Sequence, residues 1–232
     1  MYELYIANKN YSSWSLRPWL LLSELGIPFD ERLVSFAPGT GSSWSGFRAF
    51  SPNGKVPCLH DGDTVVWDSL AIAEYLAERH PDVWPSDSQA RTWARCAVAE
   101  MHSGFGALRT HCGMNCGLRI RLPDSLPQAL RADIARIDEL WSEGLARFGG
   151  RFMAGNAFGA VDAFFAPVAF RIQTYGLTFG AAAGAYAQRL RELPGMRRWY
   201  ADALLETWRD PDHEEEAMQS GILLEDLRTT VS

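Results

Sequence analysis

Apolar and polar residues follow two different periods along the first part of the chain. Residues 2–7 alternate between apolar and polar side chains, which is the pattern of a β-strand with one buried face. A polar, serine-rich turn over residues 10–18 comes next, and apolar residues then recur at helical spacing over residues 19–25. Gly26, followed by Pro28, predicts the end of this helix. The chain therefore begins with a strand, a turn and a helix.

Predicted strands and helices continue to follow one another through residue 80. Residues 29–34 form a second predicted strand, and the glycine- and serine-rich residues 37–46 form a flexible loop that we interpret as a mobile lid. A brief helix is expected near residues 47–50, a β-hairpin over residues 56–67, and an amphipathic helix with an aspartate N-cap over residues 68–80. This order of elements predicts a small mixed sheet with helices on both faces.

The second half of the chain shows only the helical period. A short proline-containing linker, residues 81–85, separates it from the first half. We therefore expect two domains, residues 1–81 with the mixed sheet and residues 86–232 with helices alone. The apolar repeats that predict the helices cover residues 88–108, 127–148, 160–175, 186–193 and 196–208.

Composition and charge narrow the range of partners. The 232 residues are 47% hydrophobic and 22% charged, which is sufficient for a buried core. With a net charge of −6 and no cluster of Lys or Arg, the chain is not expected to bind nucleic acid or an anionic membrane, so a small or neutral ligand is favoured. No apolar run approaches the roughly 18 residues of a membrane span. The first residues read directly as a strand without a basic leader, so we expect a cytoplasmic protein.

The four cysteines are too few and too scattered for a disulfide framework in a chain of this size. His111, Cys112 and Cys116 place three soft ligands within six residues and could hold a metal ion. No second cluster in the sequence completes a tetrahedral site, so we favour partly buried, unreactive thiols and expect no metal.

The serine turn is the first candidate functional site. Residues 10–18 place hydroxyl groups beside the N–H groups that begin the next helix, an arrangement that suits an anion. The alternative is that one serine simply caps the helix, with Pro18 in the first helical turn. A second candidate is Pro57, which at the start of a hairpin strand belongs on a sheet edge or after a cis bond. A cis bond would turn the Val56 backbone outward, where an extended peptide can pair with it.

Three short motifs, in order and followed by a helical half, resemble those of the cytosolic glutathione transferases. Residues 12–17, Ser-Ser-Trp-Ser-Leu-Arg, are similar to the Ser-Ser-Cys-Ser-Trp-Arg stretch of zeta-class members, and tryptophan replaces the cysteine. Residues 52–57, Pro-Asn-Gly-Lys-Val-Pro, resemble the family's Asn-Pro-x-Gly-Lys-Val-Pro run with its cis-proline. Residues 68–72, Asp-Ser-Leu-Ala-Ile, resemble its Glu-Ser-x-Ala-Ile signature. The resemblance covers nearly the whole chain.

The resemblance implies a thioredoxin-like N-terminal domain of order βαβαββα, an all-helical C-terminal domain, and a homodimer with a role in detoxification. It also implies glutathione as co-substrate, with Ser12 as the catalytic serine and Ser13 as the near alternative. The carboxylate of Asp162, in a motif that resembles the family's helix-capping box, is expected to be structural. The implied glutathione-binding residues are Lys55, Val56, Pro57, Asp68 and Ser69.

The predicted reaction is a glutathione transfer in which Ser12 donates a hydrogen bond to the thiolate. No Gly-x-Ser-x-Gly motif indicates a hydrolase, and no Cys-x-x-Cys pair at the turn indicates a disulfide oxidoreductase. An isomerase or peroxidase that uses the same thiolate, and a non-catalytic binding or regulatory module, remain alternatives. The pocket for a hydrophobic electrophile is expected from residues 37–46 and from Trp14, Met101, His102, Phe105, Leu108 and Arg109.

Overall fold

The computed structural model describes residues 1–36 and 43–229. Its first part is a four-stranded mixed sheet with helices, in the predicted order βαβαββα. The strands are β1 (Tyr2–Ile6), β2 (Phe29–Leu33), β3 (Cys58–Asp61) and β4 (Thr64–Trp67), and the helices are α1 (Ser13–Glu24), α2 (Trp44–Phe47) and α3 (Ser69–Ala77). Strand β1 is parallel to β2 and antiparallel to β3, and β3 and β4 form the predicted hairpin, which gives the sheet order β2-β1-β3-β4. The thioredoxin-like arrangement is thereby confirmed.

Helix α1 begins earlier than the sequence pattern predicted. It starts at Ser13 rather than near Trp19, so Pro18 lies in the helix interior and not in its first turn. Leu16 and Trp19 are both buried, so the apolar face already begins in the turn that precedes Trp19. The proline lacks the N–H that would bond to the Trp14 carbonyl four residues earlier. The serine turn is therefore much shorter than predicted and leads directly into a helix.

The second part of the chain is helical, as predicted, with helices of broadly the expected extents. One further helix, α10, lies beyond the apolar repeats that predict the other helices. No helix within residues 1–36 and 43–229 is long and apolar enough to cross a membrane. The helices are α4 (Ser88–Ser103), α5 (Gly106–His111), α6 (Gln128–Phe148), α7 (Ala160–Tyr175), α8 (Ala181–Glu192), α9 (Pro194–Leu205) and α10 (Pro211–Ser220).

The predicted helix over residues 88–108 is in fact two helices, α4 and α5. Phe105 adopts a left-handed conformation with φ of 60°, which ends regular helix at this point. The Arg109 side chain stabilises this break between the helices, because it donates to the carbonyl of Gly104 at 3.1 Å and to that of Met101 at 2.6 Å. Side-chain bonds across a helix end are invisible to hydrophobic periodicity, so the sequence pattern merged the two helices.

The helical part also contains a two-stranded antiparallel sheet that the sequence pattern did not predict. It pairs β5 (Leu118–Arg121) with β6 (Ile222–Asp226), two segments about a hundred residues apart in the chain. Every residue of β6 is exposed, so this strand lacks the alternation between buried and exposed positions by which strands are recognised. The sheet ties the C-terminal segment to the segment that follows α5.

The two parts share an extensive contact around the end of β1. Helix α7 is almost entirely buried and packs against α1, α4 and α8. The buried Lys9 ammonium lies 2.6 Å from Asp202 and 2.9 Å from Glu31. The Glu206 carboxylate accepts the backbone N–H groups of Lys9 at 2.6 Å and Asn10 at 3.1 Å. The second domain therefore fixes the backbone just before the serine turn.

Candidate active site

A cleft of about 580 Å³ lies between the sheet domain and the helical domain. Its floor is the serine turn, where Ser12 and Ser13 are both buried. Its far wall comes from the segment after α5, from α7 and from the start of α10. A larger groove of about 680 Å³ between β5, α6 and the end of α7 contains none of the predicted site residues. The polar groups of the predicted site therefore identify the interdomain cleft, and not the larger groove, as the candidate active site.

Ser12 occupies the N-cap position of α1, yet its side chain makes no capping hydrogen bond. Its hydroxyl instead donates to the Ser15 Oγ at 2.7 Å, and the same Oγ accepts the Ala7 N–H at 3.2 Å. A hydroxyl group rotates freely and has both a donor and two acceptor sites. Ser12 can therefore turn its proton toward a ligand in the cleft while Ser15 donates to Ser12 in exchange. Ser13, the first residue of α1, lines the cleft beside it.

All five predicted glutathione-binding residues lie together in a recess of about 290 Å³. The Val56–Pro57 bond is cis, as the resemblance implied. Trp14, Lys55 and Val56 line both this recess and the larger cleft, so the two spaces adjoin. The lining of the recess is completed by Asn53, Pro57, Asp68 and Ser69.

Asp68 and Ser69 stand at the start of α3. The Asp68 Oδ1 accepts the Leu70 N–H at 2.8 Å, which confirms the predicted N-cap, and its Oδ2 lies 3.4 Å from the His102 Nε2. Burial lowers the pKa of His102 although Asp68 acts in the opposite direction, so the imidazole is neutral at pH 7. The Ser69 hydroxyl is buried and has no hydrogen-bond partner among the described residues. A carboxylate and an unpaired hydroxyl thus meet at a helix start, where a ligand anion is also favoured.

The predicted electrophile pocket is only partly supported by the geometry. Trp14 lines the cleft, but the other helical residues predicted for its wall are absent from the lining formed by the described part of the chain. They lie on α4, on α5 and in the turn between these helices. Of the predicted lid, residues 37–42 lie outside the described residues, whereas Ser43 and Trp44 line the cleft.

These helical residues have structural partners of their own. Met101 and Phe105 are buried in the core. The Arg109 guanidinium bonds to backbone carbonyls and lies 4.7 Å above the Trp14 ring, and the His102 ring meets the same indole edge-on at 5.3 Å. Arg109 and His102 therefore orient the Trp14 ring.

Sequence reasoning missed Arg171, which lines the cleft from α7. Its side chain is 3% exposed; its Nε donates to the Cys112 carbonyl at 2.8 Å, and its Nη1 has no partner among the described residues. Burial lowers the pKa of Arg171 to about 10, which leaves it protonated at neutral pH. An arginine within an apolar helix signals a buried polar role, but only the tertiary structure shows that it faces the cleft.

A second missed cation is Arg17 on α1, which is completely buried. Its guanidinium lies 4.1 Å from the Trp14 ring and 4.9 Å from the Phe164 ring, and none of its nitrogens has a hydrogen-bond partner in the described residues. Burial lowers the pKa of Arg17 well below its usual range, and the nearby charges of Arg109 and Arg171 act in the same direction. Three guanidinium groups therefore lie close together behind and beside the cleft.

The wall formed by α10 was also missed. Asp210 and Pro211 give the usual sequence signature of a helix start, an N-cap carboxylate followed by proline at the first helical position. The Tyr11 hydroxyl donates to Glu214 at 2.7 Å, and Arg228 pairs with the same carboxylate. These bonds hold α10 against the serine turn and bring Asp210 and His213 into the cleft.

The cysteines do not assemble into a site. Cys112 and Cys116 are buried, and burial raises the pKa of Cys112 to about 12 and that of Cys116 further still. Thiols of such high pKa are neutral at pH 7. No group of three or more His, Cys, Asp or Glu side chains within the described ranges is arranged to hold a metal ion.

The comparisons with known proteins agree with the sequence motifs. A family model described as the glutathione S-transferase N-terminal domain matches residues 11–79, and one described as the C-terminal domain of the same family matches residues 119–202. Glutathione S-transferase GstB of Escherichia coli K12 is 29% identical over 205 residues, which are 83% of this chain and 88% of that protein. Human glutathione S-transferase theta-1 is 35% identical over 120 residues, 48% of each chain.

A solved structure shows the same fold. The theta-class glutathione S-transferase of Xanthomonas axonopodis pv. citri, crystallised with glutathione bound, superposes with a TM-score of 0.61 at 24% identity, over 86% of this chain and 96% of that one. The matches extend across both domains in chain order. The chain therefore belongs to the glutathione S-transferase family of enzymes.

Proposed function

We propose that the protein transfers glutathione to a hydrophobic electrophile and that Ser12 stabilises the thiolate. The observation that carries this proposal is the position of the Ser12 hydroxyl, at the start of α1, in a cleft that adjoins the recess of Lys55, Val56 and Asp68. A tripeptide bound in the recess would place its thiol at the mouth of the cleft. An electrophile in the cleft would then lie against that sulfur.

The energy required is within reach of the groups present. Lowering a thiol pKa from about 8.5 by about two units means stabilising the anion by about 2.7 kcal/mol. A hydrogen bond to a charged acceptor contributes about 1.5–3 kcal/mol, and a helix N-terminus roughly 0.3–1 kcal/mol. Ser12 and α1 together supply this amount. Arg171, which lines the cleft and stays protonated at neutral pH, acts in the same direction.

The recess gives each part of glutathione a complementary partner. The Val56 backbone would pair with the cysteinyl residue in the manner of an added strand. The Asp68 carboxylate suits the γ-glutamyl ammonium, and the Ser69 hydroxyl, which lacks a partner among the described residues, suits the neighbouring carboxylate. Lys55 would reach the glycyl carboxylate.

The cleft wall favours an apolar, aromatic electrophile. Arg171 adds a buried donor on the far side, where it can bond to a carbonyl or nitro oxygen of the substrate. In this proposal Arg171, rather than His102 or Arg109, donates to the substrate. His102 lies against Asp68, and Arg109 bonds to the Met101 carbonyl. The apolar lining consists of Trp14, Phe36, Trp44, Phe47 and Met114.

Two finer questions follow from the same site. An isomerase or peroxidase would use the same thiolate; Trp14, which stands where zeta-class members carry cysteine, favours simple transfer. A non-catalytic module would have no physical need for the Asp68–Ser69 pair in the recess. We further propose that the enzyme is a cytoplasmic homodimer that acts in detoxification.

The test is the pKa of the bound thiol in Ser12→Ala and Ser13→Ala, followed by the ultraviolet absorbance of the thiolate. We expect the Ser12 variant to raise this pKa by about one to two units, since one charge-assisted hydrogen bond is lost. The Ser13 variant should leave it unchanged and serves as the matched control. A shift in Ser13→Ala alone would transfer the role to Ser13, and failure of the wild type to bind glutathione would favour the non-catalytic module.

A further inference from the structure

His213 and Asp210 form a pair at the start of α10, on the wall of the cleft that holds Ser12. We propose that His213 is a further catalytic residue, which accepts the proton of the glutathione thiol on its Nε2, directly or through one water. This inference rests on the proposed function. It adds a proton acceptor to a site in which Ser12 supplies only a donor.

Asp210 sets the state of the imidazole. Its Oδ2 lies 2.5 Å from the His213 Nδ1 and also accepts the His213 backbone N–H at 3.2 Å. A carboxylate on Nδ1 requires that this nitrogen carry the proton, so the neutral ring keeps its lone pair on Nε2. The carboxylate also stabilises the imidazolium that forms after protonation. Asp210 is 6% exposed, so water screens this interaction little.

The ring is held in a fixed plane beside the serine turn. It stacks on Tyr11 with 5.0 Å between ring centroids and lies 4.8 Å from the Phe36 ring. Tyr11 directly precedes Ser12 in the chain, so the imidazole is anchored next to the residue that is proposed to hold the thiolate. The His213 side chain is 33% exposed, which leaves it accessible to a ligand. No described residue forms a hydrogen bond with its Nε2.

A purely structural role for the pair would be capping of α10. That role requires only the bond from Asp210 to the His213 backbone N–H, since the N-cap needs an oxygen and no imidazole. The second bond, to Nδ1, orients a ring that projects into the cleft. Capping thus explains Asp210 but not the histidine.

The proposed reaction begins with proton transfer from the glutathione thiol to the His213 imidazole. The S–H bond breaks, the proton moves to Nε2, and the sulfur keeps the electron pair. The thiolate then forms a C–S bond with the electrophilic carbon while the leaving group departs with the electrons of its own bond. The imidazolium finally returns its proton to the leaving group or to water. General base catalysis of this kind typically contributes about 10²–10⁴ in rate.

Several charged groups lie near the His213 ring. Asp212 and Glu216 lie on α10 itself, and Glu214, which is paired with Arg228, follows His213 directly. The groups that line the cleft from other elements are Tyr11, Lys55 and Arg171. Because the variant described next leaves all of these in place, a change in the pH response can be assigned to the imidazole.

The experiment compares the wild type with His213→Gln in two measurements. The first is the number of protons released to buffer when glutathione binds at pH 7, by calorimetry in buffers of different ionisation enthalpy. We expect the variant to release about one proton and the wild type distinctly fewer, because the imidazole retains the proton. The second is kcat for an activated aryl halide between pH 5.5 and pH 9. We expect a loss of about tenfold at pH 5.5, where the thiol of the variant stays protonated, and recovery as the pH rises toward 9, where the solvent ionises the thiol.

Two further variants complete the test. Asp210→Asn keeps an oxygen for the helix cap and should give a smaller loss with the same pH signature. His80→Gln, which alters a histidine that bonds to Tyr2 away from the cleft, should leave both measurements unchanged. Equal proton release and equal pH profiles in wild type and His213→Gln would overturn the inference, as would a loss explained entirely by weaker glutathione binding. A wild type that binds no glutathione would overturn the proposed function itself.

Discussion

The Ser12 hydroxyl belongs to a short chain of hydrogen bonds. It donates to Ser15, whose oxygen also accepts the Ala7 N–H at the end of β1. Ser15 is completely buried, so the inner end of this chain is isolated from solvent. When the Ser12 hydroxyl donates to a thiolate, the Ser15 hydroxyl can donate to the Ser12 oxygen. Hydrogen bonds in such chains strengthen one another. Ser12, which is proposed to meet the ligand, is thus supported by the buried Ser15.

Asp68 offers a second test at the residue scale. Asp68→Asn keeps the oxygen that accepts the Leu70 N–H, so α3 remains capped, but it removes the charge that is proposed to face the glutathione ammonium. We expect the dissociation constant for glutathione to rise about tenfold or more, because a charge-assisted hydrogen bond becomes a neutral one. Isothermal calorimetry measures it directly.

The matched control for this variant is Asp61→Asn. Asp61 lies on β3, bonds to the Tyr75 hydroxyl at 2.9 Å and is absent from the lining of the recess. Its replacement should leave glutathione binding unchanged. If Asp68→Asn bound glutathione as tightly as the wild type, the proposed orientation of the γ-glutamyl end would be wrong.

At the scale of the elements, the start of α7 decides how the helical domain is built. The fully buried Asp162 carboxylate accepts N–H groups from Met153 at 3.1 Å and Gly159 at 3.0 Å, and the Tyr186 hydroxyl at 2.6 Å. It thereby joins three segments, and its structural role is as predicted. Gly159 occupies the N-cap without a hydroxyl, so the carboxylate supplies the side-chain bond that this helix start retains.

The titration of Asp162 makes its role measurable. Burial raises its pKa from 3.8 to about 6, against the hydrogen bonds that lower it. The folded state therefore binds this proton more tightly than the unfolded state, and the resulting stabilisation is present below pH 3.8 and lost as the pH rises through about 6. We expect Asp162→Asn to lower the free energy of unfolding by about 1 kcal/mol more at pH 5 than at pH 7.5.

Urea denaturation at the two pH values measures this difference. Asp138→Asn is a suitable reference, because Asp138 also accepts a backbone N–H at a helix start, that of Gly180 at 3.0 Å, but lies near the surface. A penalty for Asp162→Asn that is the same at both pH values, relative to this reference, would contradict a raised pKa for the buried carboxylate.

At the scale of the whole molecule, the helical domain does more than cover the sheet. Glu206 and Asp202 hold the backbone and side chain of Lys9, and Glu214 holds Tyr11, so contacts from the second domain fix the residues that lead into Ser12. The position of Ser12 therefore depends on the packing of the two domains, not on α1 alone.

The surface of the molecule bears on its assembly. Strand β6 exposes Ile222, Leu223 and Leu224, which are 58%, 44% and 58% accessible. Exposed apolar side chains that lie together are typical of surfaces that pair with another chain. We therefore expect a homodimer, and light scattering at micromolar concentration should give twice the 25.9 kDa of one chain. A mass of 25.9 kDa that does not change over a concentration series would exclude it.

The sequence by itself determined the elements whose identifying pattern is contiguous in the chain. The alternation in β1, the turn residues of the β3–β4 hairpin and the periodic apolar faces of α6 and α7 specified the βαβαββα order and the helical second half. The aspartate N-cap of α3 and the residues that line the adjoining recess could also be predicted, because their motifs are contiguous in the chain.

Only the tertiary structure decided the rest, since it depends on contacts between residues far apart in the chain. The break between α4 and α5 follows from side-chain bonds of Arg109, and β6 exists because it pairs with β5. The far wall of the cleft comes from Arg171 and His213, whose positions follow from how α7 and α10 pack against the serine turn. Hydrophobic periodicity records which face of an element is buried, but not which distant polar side chain that burial brings to the site.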